Sequence, residues 1–125
     1  MGHLRSRTAY ADAAWDWEIL DGCFGYSRTR PSDLDGIVER NGRFLVLEAK
    51  PAGKAISAGQ MQLLRRLAAL PEFTVILFWG DNGDPTRLRW MSPDYDEEAE
   101  GNLETLRRWV SHWWSAVNHP KGDDR

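Results

Sequence analysis

Residues 31–50 read PSDLDGIVERNGRFLVLEAK, and the turn in the middle of that stretch decides how the chain folds. Asn41-Gly42 is the pair favoured in a two-residue type I′ turn, whose central residues both need φ > 0. Leu34 to Arg40 precedes it. Arg43 to Lys50 follows, with the near-continuous apolar run Phe44-Leu45-Val46-Leu47 of a buried strand. A two-residue turn sets the register, because Arg40 must face Arg43 and pairing counts outward from there. Val38 then faces Leu45, Ile37 faces Val46 and Gly36 faces Leu47. Asp35 falls opposite Glu48, and Asp33 opposite Lys50. A three-residue loop would slip this register by one; a four-residue loop would preserve it.

Directly opposed residues share a sheet face, as do residues two apart along one strand. Asp33, Asp35, Glu48 and Lys50 therefore form one polar patch beside Ile37, Val46 and Phe44. Opposed carboxylates repel, and a sequence needing only a stable sheet avoids them. A divalent cation removes the conflict: Mg²⁺ takes oxygen ligands, often one or two carboxylates with water and phosphate completing the shell.

Pro31-x-Asp33-Leu34-Asp35, followed by Glu48-Ala49-Lys50 at the end of an apolar strand, resembles the PD-(D/E)XK nuclease superfamily. The helix-like segment GQMQLLRRL, which carries Gln60, is similar to the helix following the core in several branches of that superfamily. The resemblance covers about residues 12–90. Either Asp33 or Asp35 can be the motif acid; the register favours Asp35, with Asp33 supporting. The resemblance implies a restriction-endonuclease-like α/β core, a central mixed sheet flanked by helices in the order α-β-β-α-β-β-α. It implies Mg²⁺ or Mn²⁺ held by Asp35, Glu48 and the backbone carbonyl of Ala49. It also implies catalytic roles for Asp35, Glu48, Lys50 and Gln60, a further carboxylate from the first helix, for which Glu18 is the candidate, and a 5′-phosphate product. Asp12 and Asp16 are weaker candidates for that carboxylate.

The 125 residues suffice for one domain, and 42% hydrophobic with 28% charged residues is the balance of an ordinary soluble globular protein. Its core is expected over about 8–91, with a covering helix over about 102–118. The longest apolar run, Val75 to Trp79, is too short to span a bilayer, and MGHLRSRTAY lacks the apolar region of a signal peptide. Met1-Gly2 with Ser6 fits a myristoylation pattern and is read as a chance match. The lone Cys23 allows no internal disulfide and suits a reducing, cytoplasmic location. A net charge of −3 argues against a general nucleic-acid coat, since phosphate binding is driven by Lys and Arg. It leaves room for a nuclease, because an acidic metal site consumes negative charge while local clusters such as Arg5-Arg7, Arg28-Arg30, Arg65-Arg66 and Arg107-Arg108 hold a backbone.

In chain order, Thr8 to Leu20 is expected as a first helix. The loop after it brings Arg28 and Arg30, which suit scissile-strand phosphates or simple solvation. Pro51 ends the hairpin, and Lys54 in the next loop is within reach of phosphate. Ser57 opens a helix as N-cap, with Gln60 completing a capping box, and Met61, Leu64, Leu67, Ala68 and Leu70 supply its buried stripe. Capping accounts for Gln60 without chemistry, and a site role is compatible with it. Phe73 to Trp79 reads as a buried strand, Gly80 to Pro85 as a turn cluster, and Thr86 to Met91 as a short strand. In the latter, Leu88 and Trp90 share one face, Arg87 and Arg89 the other. The acidic run between Ser92 and Gly101 reads as a solvated loop or helix start lying away from any substrate face. Asn102 caps a final Trp-rich helix that covers the core or forms a homodimer interface.

No zinc spacing, P-loop, GxGxxG or GxSxG elbow is present, so the metal–carboxylate reading is the catalytic one that remains. The expected function is a metal-dependent DNA phosphodiesterase. With no separate DNA-reading module, it is structure-directed (junction or flap) or directed by a partner protein rather than sequence-specific. The alternative is a catalytically silent nuclease-fold module that binds DNA or a partner protein; a plain structural α/β domain with an acidic patch is a third reading.

Overall fold

The computed structural model describes residues 16–119. The chain divides into two compact units, one ending at Asp33 and one beginning at Leu34. In the first, the only helical element among the described residues is a 3₁₀ turn at Trp17–Leu20. Residues 8–15 of the expected first helix lie outside the described part. The turn buries no side chain and Ile19 is 61% exposed, so it lacks the packing that sustains longer helices. Asp16 opens the turn by accepting a hydrogen bond from Glu18 N–H.

The second unit is α/β. It is built on a five-stranded mixed sheet in sequential order: β1 (Gly36–Arg40), β2 (Arg43–Lys50), β3 (Phe73–Asp81), β4 (Asp84–Ser92) and β5 (Tyr95–Glu100). Two helices complete it, α1 (Ala58–Ala68) between β2 and β3, and α2 (Leu103–Val117) after β5. The β1–β2 hairpin has the register read from Asn41-Gly42: Arg40 faces Arg43, Val38 faces Leu45, and Gly36 faces Leu47. Asn41 at φ 53° and Gly42 at φ 80° supply the two left-handed residues of a type I′ turn. β2 and β3 are parallel, so the chain must cross over, and α1 makes that crossing.

Alternation along the strands gives the sheet two apolar faces. Val46, Val75, Leu77, Trp79 and Met91 pack with Leu64 and Ala68 of α1. Leu45 and Ile76 pack with Trp113 of α2. Leu45, Leu64, Ile76 and Leu77 are fully buried, each worth about 1.5–3 kcal/mol of transfer free energy. Ser57 caps α1 by accepting from Gln60 N–H, and Asn102 with Thr105 forms a reciprocal capping box on α2. Leu70, expected in the stripe of α1, lies beyond the helix end and is 45% exposed.

Two expectations are corrected. The acidic run is a strand rather than a solvated loop: β5 pairs antiparallel with β4. Arg87 binds Glu98 at 2.9 Å and Arg89 donates to both carboxylate oxygens of Asp96 at 2.8 Å, so the arginines of β4 pair with two acids of this run. This strand sits at the sheet edge, where charge discourages pairing with other chains. The expected order of elements, α-β-β-α-β-β-α, is accordingly not matched: the described order is 3₁₀-β-β-α-β-β-β-α. No helix among the described residues is long and apolar enough to cross a membrane.

Candidate functional site

The ladder between β1 and β2 stops at Gly36, and a carboxylate takes over its next bond. Leu45 and Leu47 occupy positions of β2 whose N–H and C=O point at β1; Ala49 is the next in that series. Its N–H donates to Asp35 Oδ2 at 2.9 Å. Asp35 N–H in turn donates to Glu48 Oε1 at 3.3 Å. The two acids are thereby clasped against one another through their backbones, as the hairpin register requires.

Glu48 lies on the α1 face of β2, two residues beyond buried Val46, and is only 3% exposed. Its second oxygen, Oε2, accepts from Gln60 Nε2 at 2.5 Å. Gln60 stands in the first turn of α1, and its backbone N–H satisfies Ser57 Oγ while its side chain reaches the sheet. Its side chain thus serves Glu48, not the return bond of a capping box. Burial raises the Glu48 pKa above the ordinary value of 4.5; the Asp35 N–H bond opposes this, the Asp35 charge adds to it, and the Gln60 bond and Lys50 charge oppose it. Desolvation by burial is the largest of these causes. Set against family models, curated proteins and solved structures, the chain has no match.

Among the described residues, no three or more His, Cys, Asp or Glu side chains gather as a metal-holding set. The donors at this site are the Asp35 and Glu48 carboxylates and the carbonyl of Ala49, which faces the same strand edge as its N–H. Three oxygen donors suit a small hard cation that keeps several waters, and the raised Glu48 pKa marks a carboxylate whose ionised form a cation would stabilise. The residues present therefore fit Mg²⁺ or Mn²⁺.

Lys50 shares the face of Glu48 and lies half-buried beside Trp79 across the parallel ladder. Lys54 is exposed in the loop between β2 and α1, where its carbonyl accepts from the Trp79 indole N–H at 2.9 Å and fixes the loop to the sheet. Four proposed residues, Asp35, Glu48, Lys50 and Gln60, thus belong to one corner of the sheet. Glu18, Arg28, Arg30 and Asp33 belong to the N-terminal unit. There Arg30 pairs with Asp21 at 3.1 Å and Asp33 Oδ1 accepts from the Trp17 indole at 3.4 Å. Two neighbours of the site had no motif to mark them, Trp79 and Arg87. The alternation of Arg87 and Arg89 with Leu88 and Trp90 put the arginines on one face, but only the pairing of β3 with β4 decides which face.

Proposed function

We propose that the protein is a divalent-metal-dependent phosphodiesterase that acts on DNA. One arrangement carries the reading: a buried Glu48, clasped by Asp35 N–H and the Gln60 amide, stands beside a second carboxylate with Lys50 on the same face. A structural role gives no reason to bury an acid beside another acid at a cost in stability. Asp35, Glu48 and the Ala49 carbonyl would hold Mg²⁺ or Mn²⁺. When bound, the cation supplies Lewis acidity toward a phosphate oxygen and lowers the pKa of water at the site.

The remaining work falls to side chains of the chain itself. Asp35 fixes the carboxyl end of β2 through the Ala49 N–H, holding the Ala49 carbonyl in place. Gln60 orients the Glu48 carboxylate and leaves each oxygen a second lone pair. The Lys50 ammonium would offset phosphate charge and orient the attacking water by donating to it.

The test is cleavage of single-stranded, duplex, flap and four-way-junction DNA with Mg²⁺, Mn²⁺ or EDTA, comparing the protein with Glu48→Gln and Lys50→Ala. Metal-dependent cutting that both folded variants lose is expected. No cutting of any substrate by the unaltered protein would sink the reading and leave a silent binding module in its place.

A further inference from the structure

The register carries a row of side chains across the sheet on the face that bears Glu48. Lys50 of β2 faces Trp79 of β3, Trp79 faces Arg87 of β4, and Arg87 faces Glu100 of β5. The Arg87 guanidinium carbon lies over the Trp79 ring, 3.8 Å from its centroid. Trp79 is itself 5% exposed and held by the Lys54 carbonyl, so the platform under the guanidinium is rigid. Stacking is a use of arginine that lysine cannot copy. One of the five guanidinium donors is taken by Glu98, and the side chain remains 45% exposed. A concavity of about 420 Å³ is lined by Ala49, Lys50 and the turn acids Asp81 and Asp84, and one of about 610 Å³ opens over the rest of the row, lined by Lys54, Trp79, Thr86, Arg87 and Glu100.

Lys54 and Arg87 line the second concavity and Lys50 stands two strands from Arg87 on the same face, a cationic lane beginning at the candidate metal corner. At about 4.8 Å per strand, it is about 10 Å wide from β2 to β4. Immediately beyond it runs β5, which presents Asp96, Glu98 and Glu100 on the same face. A duplex places its second backbone across a major groove about 12 Å wide, over those acids. A single strand fits within the lane and meets Glu100 at its edge rather than the whole acidic row. We infer that the Lys50–Lys54–Arg87 lane binds a single-stranded DNA segment, with Arg87 on Trp79 holding a phosphate beside the candidate cleavage corner and the acids of β5 excluding duplex. This deepens, and rests on, the phosphodiesterase reading.

The test is fluorescence anisotropy in EDTA, without turnover, using a short labelled oligodeoxynucleotide, alone or annealed to its complement, across a KCl titration. Single strand is expected to bind more tightly than duplex. Arg87→Ala should weaken single-strand binding about tenfold and flatten its logarithmic salt dependence by about 0.7. Arg87→Lys should recover only part of the loss, since it keeps charge without the stacked fork. Glu100→Ala, which leaves the Arg87–Glu98 pair intact, should improve duplex binding selectively. Thermal melting of each variant confirms folding. Equal or tighter duplex binding, or unchanged affinity in folded Arg87→Ala, would overturn the proposal even if metal-dependent cleavage is observed. Arg87-dependent single-strand binding without cleavage in any metal would support the lane and defeat the phosphodiesterase reading instead.

Discussion

Glu48 is the residue on which site and stability conflict. Its raised pKa means that the folded state keeps a proton at pH values where the unfolded chain has lost it. That contribution to stability is fully present below about 4.5 and is lost as pH rises through the folded-state value. Glu48→Gln removes the desolvated charge while keeping an acceptor for Asp35 N–H. In EDTA it is expected to melt a few degrees above the unaltered protein at pH 7, with the advantage vanishing toward pH 4.5, and to have no metal-dependent turnover. Melts across pH check the first, the cleavage assay the second. Gln60→Ala takes away a bond that lowers the Glu48 pKa, so the acid limb of the pH–rate profile should move to higher pH. A purely structural Gln60 would lower stability and leave that limb in place.

At the scale of elements, two turns carry the geometry. Gly42, at φ 80°, is a position where a side chain costs about 1–2 kcal/mol, and Gly42→Ala should lower the melting temperature accordingly. At Gly80 the backbone is crowded: an added Cβ would stand 2.1 Å from the Asp84 carbonyl oxygen. There β3 and β4 change register between Trp79 and Gly80, and buried Pro85 takes a ladder position that a regular central strand would refuse it. Gly80→Ala should cost about 1–3 kcal/mol or more, because neighbouring backbone rather than a flexible side chain must yield. Urea unfolding of the two variants measures both costs, with Gly80→Ala expected to be the larger.

At the scale of the whole molecule, the larger unit covers its sheet on both faces, and Glu48 at the corner of β1 and β2 is held from α1 on one of them. Binding of a cation to the folded state alone must stabilise it by mass action. Mn²⁺ at a hundredfold excess over its dissociation constant should add about 2.7 kcal/mol, a rise in melting temperature reversed by EDTA and absent in Glu48→Gln. Mn²⁺ titration followed by thermal melting checks this. An equal rise in the variant would place the cation elsewhere.

By itself, the sequence determined the hairpin, its register and the Asp35–Glu48 apposition. These follow from the local requirement of Asn41-Gly42 for φ > 0 and from the period of two along a strand. It also marked Ser57 and Asn102 as helix starts, since capping involves residues three apart. Tertiary structure alone decided the parallel pairing of β2 with β3, which brings together segments separated by a crossover helix. It made the acidic run into β5, because charges that look solvated in sequence find Arg87 and Arg89 only once β4 lies beside them. It turned the Gln60 side chain from its own helix end to Glu48, because burial leaves a carboxylate without water and the nearest amide must replace it.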